Sequence, residues 1–207
     1  MLTIYVYVLD TLADWELAHI AAELNSGRFF RQGAPRVSLK TVGCTKAPIT
    51  TLGGLSIAPD CLPDDVIMDP ATMLLLPGAD TWGDSRHAAI LEKARALLSV
   101  GGVVGAICGA TAALAGIALL NNRPHTSNGA GFLEMVAPGY QGQSFYVDEP
   151  SVADGNLITA ASTGALLFAK QIIARLGVFA PDTLEAWYRY FSTGKPEHFF
   201  ALMQSFH

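Results

Sequence analysis

Charged residues are scarce in this chain, and its basic residues form no cluster. Only 15% of the 207 residues are Asp, Glu, Lys or Arg, and 13 basic against 18 acidic residues give a formal net charge of −5 at pH 7. Nucleic-acid backbones are bound mainly through concentrated Lys and Arg, so the composition argues against a nucleic-acid partner. With 51% hydrophobic residues the chain can instead bury a large core, which predicts one α/β domain over residues 1–207.

Cysteine is scarce as well. The sequence has three, Cys44, Cys61 and Cys108, with no CxxC spacing among them. This predicts neither a disulfide framework nor a zinc site, so we expect no metal and a reducing compartment. The apolar N-terminal stretch MLTIYVYVLD is too short to span a membrane and lacks a basic leader. We therefore expect a cytoplasmic protein with no membrane partner.

Short apolar runs alternate with helical patterns through the first half of the chain. Strands are predicted at residues 2–9, 37–42, 72–76 and 103–107, and helices at about 12–25, from Asp84 or Ser85 up to Gly101-Gly102, and after residue 109. Alternation of this kind indicates right-handed βαβ units and a parallel sheet. Ligands bind at the carboxyl ends of such strands, where Asp10, Gly78 and Cys108 are all expected.

The second half is predicted to add a hairpin and several helices. We expect a short strand at 124–127, a short helix from Phe132, a hairpin turn at 154–156 between strands 151–153 and 157–159, and helices at roughly 163–176, 183–193 and 196–206. Asp182 and Glu185 have the spacing of a capping box. The last two helices are rich in aromatic residues, which we expect to pack on the core or on a partner subunit.

Cys108 stands where the apolar run VVGAI changes to the helical composition of ATAALAG. The smallest side chains surround it, as a sharp strand-to-helix turn requires when two backbones pass closely. A helix N-terminus at that place favours a thiolate over a thiol. The alternative is a buried cysteine chosen only for packing.

Two other features could join Cys108 at the same edge of the sheet. Glu16 lies on the flank of the apolar stripe of the first helix, and it is either a partly desolvated functional acid or an ordinary exposed carboxylate. The turn Pro77-Gly78-Ala79-Asp80 follows a buried strand. Its backbone N–H groups could hold a developing oxyanion, or it could be a plain turn.

These motifs together resemble the ThiJ/PfpI family, within the class I glutamine amidotransferase-like superfamily. The matching segments cover almost the whole chain and are Asp14-Trp15-Glu16-Leu17, Leu76-Pro77-Gly78-Ala79-Asp80, Ala106-Ile107-Cys108-Gly109-Ala110, residues 123–128 and Asp154-Gly155-Asn156-Leu157-Ile158-Thr159. The resemblance implies a flavodoxin-like three-layer α/β sandwich, a mostly parallel sheet with helices on both faces, followed here by extra C-terminal helices. It also implies a homodimer, Cys108 as the reactive thiol, Glu16 as its acid, and an oxyanion hole made by the N–H groups of Ala79 and Gly109.

The chain departs from the family pattern where a histidine is expected. Peptidase-like members have His directly after the nucleophile, at the place of Gly109, and many other members have it at the place that Asn128 occupies here. His125 is the only substitute within that motif, and it would lie on the opposite face from Asn128 if the segment were extended. A structural role for His125 is as compatible with the sequence as a functional one. The departures argue against a peptidase or a Cys-His-Glu amidase.

The sequence as a whole predicts a cofactor-free cysteine enzyme of hydrolase/amidase-like or small-carbonyl (glyoxalase/deglycase-like) type. Cys108 would attack an electrophilic carbon of a small molecule while Glu16 exchanges the proton. Asn128, and with it His125, would orient the substrate. The alternative is a non-catalytic oxidative-stress sensor or chaperone-like binding protein, in which Cys108 is oxidised to a sulfinic acid held by Glu16.

Overall fold

A six-stranded sheet organises the protein, whose computed structural model describes residues 1–205. The strands of this sheet run in the order β2-β1-β5-β6-β8-β7, and all neighbours are parallel except β7 and β8. The strands are β1 (Leu2–Tyr7), β2 (Val37–Val42), β3 (Ile49–Thr50), β4 (Ser56–Ile57), β5 (Thr72–Leu76), β6 (Val103–Ile107), β7 (Ser151–Asp154) and β8 (Leu157–Ala160), of which β3 and β4 form a separate hairpin. The helices are α1 (Asp14–Ser26), α2 (Ala88–Ser99), α3 (Gly109–Gly116), α4 (Phe132–Val136), α5 (Ala165–Leu176), α6 (Pro181–Thr193) and α7 (Pro196–Gln204).

The arrangement confirms the predicted flavodoxin-like α/β fold. Every residue of β5 and β6 is buried, as expected of central parallel strands covered on both faces. Gly105 in β6 lets α5 approach the sheet closely, because a Cβ atom there would lie 2.9 Å from side-chain atoms of both Leu75 and Phe168. Among the described residues, no helix has the length and apolar character needed to cross a membrane.

The first strand and the first helix are shorter than predicted at the ends that face each other. β1 ends at Tyr7 rather than residue 9, and α1 begins at Asp14 rather than residue 12. The intervening residues bond to neighbouring loops instead, since the Thr11 N–H donates to Thr50 O and the Ala13 N–H donates to Gly78 O. These bonds fix the start of α1 against the end of β5.

Two predictions in the second half are wrong. Residues 124–127 form no strand, because His125 makes only an isolated bridge to Tyr146. The capping box at Asp182 and Glu185 is also absent: α6 starts at Pro181, two residues before the predicted start at 183, and its N-cap is Ala180. Glu185 instead pairs with basic side chains of α5 and α6. Of the helix predicted at 196–206, the structure shows Pro196–Gln204, and residue 206 lies outside the described residues.

Trp187 anchors the C-terminal helices to the body of the fold. Its side chain is fully buried, and its indole N–H donates to Glu23 Oε1 on α1 over 3.0 Å. Glu23 is itself buried, at 1% exposure, and also accepts hydrogen bonds from Arg28. The carboxylate is therefore satisfied from two sides, and Trp187 carries both apolar burial and one of its hydrogen bonds.

We expect Trp187→Ala to lower the free energy of unfolding by about 3–5 kcal/mol, because it opens a cavity and removes a donor from a buried carboxylate. Phe200→Ala is the matched control, since Phe200 is 61% exposed on α7 and its loss should change stability by no more than about 0.5 kcal/mol. Urea unfolding followed by circular dichroism measures both. Equal losses for the two variants would show that α6 is not anchored through Trp187.

Candidate active site

Cys108 occupies a strained turn between β6 and α3. Its backbone has φ 57° and ψ −126°, in the left-handed region that a residue with a side chain seldom adopts. The Cys108 N–H donates to Ala160 O at the end of β8 over 2.9 Å, which holds the turn against the neighbouring strand. Because the strained turn follows β6 directly, it places the thiol at the carboxyl edge of the sheet, where the side chain is partly exposed.

Glu16 is buried beside this turn, at 1% exposure. Its Oε2 accepts a hydrogen bond from the Gly78 N–H over 2.6 Å. Gly78 fits between the two side chains only because it lacks its own: a Cβ atom there would lie 2.7 Å from both Cys108 Cβ and Glu16 Oε2. The end of β5 thus brings the acid and the thiol together, as the sequence predicted for Glu16 and Cys108.

Asn128 contacts the thiol from the opposite side of the site. Its Nδ2 donates to Cys108 Sγ over 3.3 Å, while its Oδ1 accepts from the backbone N–H of Ser162 over 2.9 Å. A backbone N–H can only donate, so the Asn128 oxygen must face Ser162 and the amide nitrogen must face the sulfur. Asn128 therefore offers the sulfur a donor, which a thiolate accepts better than a thiol.

Ser162 is the residue that the sequence reading missed. Its hydroxyl donates to Glu16 Oε1 over 2.8 Å, and the Trp15 indole N–H lies 3.3 Å from the same hydroxyl oxygen. The available signal was its position just after β8, because every parallel strand of the sheet ends at the same edge. The hairpin prediction placed that strand, but only the sheet order shows that β8 lies beside β6.

Ala79 and Gly109 line the same cavity as Cys108, and their backbone N–H groups have no acceptor among the described residues. The two segments touch, since a Cβ atom on Gly109 would lie 3.0 Å from Ala79 O and 3.5 Å from Ala79 N. Trp82 holds the first of them, donating its indole N–H to Pro77 O over 2.8 Å. Two free N–H groups on adjacent backbone segments can donate hydrogen bonds to a developing oxyanion.

Burial dominates the electrostatics of the pair. It raises the pKa of the Glu16 carboxyl, against hydrogen bonds from Gly78 and Ser162 that lower it. Burial also raises the pKa of the Cys108 thiol, opposed by the Asn128 amide and reinforced by the Glu16 carboxylate. Desolvation of Cys108 thus acts against the thiolate that the helix N-terminus is expected to favour. Two adjacent anions are costly in such a site, so Glu16 and Cys108 titrate as a coupled pair.

His125 lies outside this cluster. It is fully buried, with Nδ1 2.8 Å from Arg123 O and Nε2 2.6 Å from the Tyr140 hydroxyl. A carbonyl can only accept, so Nδ1 carries the proton and Nε2 accepts from Tyr140. Burial lowers the pKa of His125, which keeps the ring neutral. Of the six site residues predicted from the sequence, only His125 is not brought to the sulfur.

The site opens into a cavity of about 380 Å³. Besides the residues already described, its walls include Trp15, Leu52, Asp80 and Phe132. The volume suits a small molecule or the end of a larger one. Among the described residues, no group of three or more His, Cys, Asp or Glu side chains is placed to hold a metal ion.

Comparison with known proteins gives a consistent result. Residues 2–175 match the family model described as the DJ-1/PfpI family. The protein named "Uncharacterized protease YoaZ" from Bacillus subtilis (strain 168) is 47% identical over 202 residues, covering 98% of this chain and 96% of that protein. A ThiJ/PfpI family protein from Bacillus anthracis superposes with a TM-score of 0.96 at 43% identity, covering 100% of this chain and 98% of the other. A DJ-1 superfamily protein from Agrobacterium tumefaciens gives a TM-score of 0.80 at 31% identity, covering 94% of this chain and 99% of the other.

We expect Cys108 to be alkylated before Cys44 and Cys61, because it alone combines an exposed edge, a donor on its sulfur and a carboxyl that can take its proton. The measurement is mass-spectrometric mapping after brief treatment with substoichiometric iodoacetamide. Cys61 is the internal control, since its side chain is buried whereas that of Cys108 is partly exposed. Preferential labelling of Cys44 or Cys61 would remove the basis of the site assignment.

Proposed function

This chain belongs to the DJ-1/PfpI family, and on that premise we propose that it is a cytoplasmic cysteine-dependent enzyme of hydrolase or small-carbonyl type. The observation that carries the proposal is the convergence on one cavity of Cys108, Glu16, and the N–H groups of Ala79 and Gly109, which have no acceptor within residues 1–205. Together they supply a nucleophile, a proton acceptor and donor, and a place for negative charge. The chemistry requires no cofactor.

The first step is the transfer of the Cys108 proton to Glu16. The resulting thiolate attacks the carbonyl carbon of the substrate, and the electron pair of the C=O bond moves to oxygen. That oxyanion lies against the N–H groups of Ala79 and Gly109, while Asn128 orients the substrate and stabilises the sulfur before attack. With an aldehyde or dicarbonyl substrate, Glu16 returns the proton to the oxyanion and a hemithioacetal results.

Small carbonyl compounds fit this machinery better than peptides. Amide cleavage requires a proton for the leaving amine and a base for the incoming water, and among the described histidines none contacts Cys108. Asn128 cannot titrate, so Glu16 would have to perform both transfers. The name of the Bacillus subtilis relative supports a hydrolase, and we propose that peptide cleavage by this chain is weak.

We expect the purified protein to convert methylglyoxal or a small amide with a rate that Cys108→Ser abolishes. A panel of methylglyoxal, small amides and unstructured peptides, followed by product formation, tests this. A panel without turnover, together with a Cys108 sulfinic acid that accumulates under mild peroxide, would contradict the enzyme and favour the redox-sensor function.

Two variants test the roles of the neighbouring residues in the same assay. Glu16→Ala removes the proton carrier and should lower turnover by about 10²-fold or more, whereas His125→Ala should leave the aldehyde reaction within a few-fold of the parent. Efficient peptide cleavage that His125→Ala abolishes would show that His125, rather than Glu16, is the base.

We also propose a homodimer. Trp15 and Leu52, which line the cavity, are more than half exposed, and so are Leu55 and, on α7, Phe200. A second copy of the chain could cover exposed apolar side chains of this size. Sedimentation equilibrium should give about twice the chain mass of 21.9 kDa. A monomer at high micromolar concentration would contradict the proposal.

A further inference from the structure

We propose that Ser162 is a positioning residue that decides how one negative charge is divided between Glu16 and Cys108, provided that these two residues act as proposed above. Ser162 contacts both side chains that flank the sulfur. Its hydroxyl donates to Glu16, and its backbone N–H donates to Asn128. The side chain of Ser162 thereby stabilises a negative charge on Glu16. Its backbone N–H orients the Asn128 amide, which stabilises a negative charge on Cys108.

The turn that carries Ser162 is held firmly in place. It begins directly after β8, where the Ala161 N–H donates to Pro150 O over 3.0 Å. The Gly164 N–H then closes the turn on Ala161 O over 2.8 Å. A Cβ atom on Gly164 would lie 2.0 Å from Pro150 O, so the chain passes this point at a distance that only glycine permits. Ser162 is therefore placed by the backbone, independently of what its hydroxyl binds.

Trp15 orients the Ser162 hydroxyl. An indole N–H can only donate, so at 3.3 Å it occupies one lone pair of Ser162 Oγ and leaves the hydroxyl hydrogen to Glu16 Oε1, 2.8 Å away. Glu16 Oε2 already accepts from the Gly78 N–H. Both carboxyl oxygens thus receive donors, an arrangement that stabilises the ionised carboxylate.

The consequence is a bias in the proton exchange between the two residues. A proton on Cys108 and a carboxylate on Glu16 form one state, while a thiolate on Cys108 and a protonated Glu16 form the other. Moving the proton from sulfur to oxygen interconverts them with no change in total charge. The Ser162 hydroxyl lowers the pKa of both Glu16 and Cys108, but its one hydrogen is donated to Glu16 Oε1 over 2.8 Å, so its larger effect is on the carboxylate state. The Asn128 amide that Ser162 orients stabilises the thiolate state. Removal of the hydroxyl alone should therefore increase the thiolate fraction.

Other ionisable groups line this cavity or the cavities beside it, and they must stay constant in any test. Asp80 lines the same cavity from the turn after β5, and His19 on α1 lines a neighbouring cavity that also includes Ser162. On the far side of Asn128, Asp148 and Glu149 line a third cavity. Variants of Ser162 retain all four groups, so differences between those variants report on the Ser162 hydroxyl.

The test is the rate of Cys108 alkylation by iodoacetamide as a function of pH, a reaction in which the sulfur–carbon bond forms and iodide leaves. Ser162→Ala removes the hydroxyl and keeps the N–H that binds Asn128. We expect its rate to match the parent at acidic pH, to exceed the parent by severalfold to about tenfold on the near-neutral plateau, and to have its acid-limb midpoint at higher pH. The acidic rates coincide because the fully protonated pair gives the thiolate without forming the carboxylate that Ser162 stabilises.

Three further variants serve as controls. Ser162→Thr keeps a hydroxyl and should restore the parent profile. Thr163→Ala changes an exposed residue of the same turn and should leave the profile unchanged. Trp15→Phe frees the Ser162 hydroxyl to rotate, so it should shift the profile in the same direction as Ser162→Ala by a smaller amount, and it gives an independent result if Ser162→Ala folds poorly.

Two outcomes would overturn the inference alone. In the first, Ser162→Ala and Trp15→Phe both follow the parent profile while Cys108 remains the labelled residue. In the second, Ser162→Ala changes the rate by the same factor at every pH, which is the mark of a merely loosened site. Preferential labelling of Cys44 or Cys61 in the parent would instead overturn the proposed function, and the role of Ser162 with it.

Discussion

The buried carboxyl of Glu16 is the constraint on which the architecture of the site depends. Removing a carboxylate from water is costly unless donors from the protein replace the hydration shell. Here one donor comes from Gly78 at the end of β5 and another from Ser162 after β8, while α1 carries the carboxyl itself. Three elements that are distant in sequence must therefore meet within hydrogen-bond distance, and β6 with Cys108 lies between them.

The same crowding explains the small residues at this edge of the sheet. Gly78 has no room for a side chain between Glu16 and Cys108, and Gly109 lies against the backbone of Ala79. Cys108 adopts its left-handed backbone at a cost of about 1–3 kcal/mol, which the hydrogen bond from its N–H to Ala160 helps to offset. The strain is local, and it places the Cys108 thiol near two N–H groups that have no acceptor among the described residues.

His125, Asn128 and the pair Glu16 and Cys108 differ in their hydrogen-bond partners. Both ring nitrogens of His125 are engaged with Arg123 and Tyr140, so its burial serves the fold of the loop between α3 and β7. Asn128, three residues later, bonds on one side to the backbone and on the other to the sulfur. The pair Glu16 and Cys108 is unlike either, since burial raises both pKa values and its two singly charged states differ only in which of the two residues holds the proton.

Local patterns in the sequence determined most of the fold and much of the site. The alternation of apolar runs with helical stripes predicted the parallel sheet, and the run of small residues around Cys108 predicted the turn, because both depend on neighbours in the chain. The predicted strand at 124–127 and the predicted cap at Asp182 are wrong. The first has no partner strand, and the helix that the second was to cap already includes Pro181, one residue before Asp182.

What only the tertiary structure decided is which groups become partners across the sheet edge. Ser162 gains its contacts with Glu16, Trp15 and Asn128 from the position of β8 beside β6, and no local pattern of residues encodes that adjacency. The direction of the Cys108 pKa was likewise decided by burial, which is a property of the packed fold, against the helix N-terminus that the sequence alone reveals.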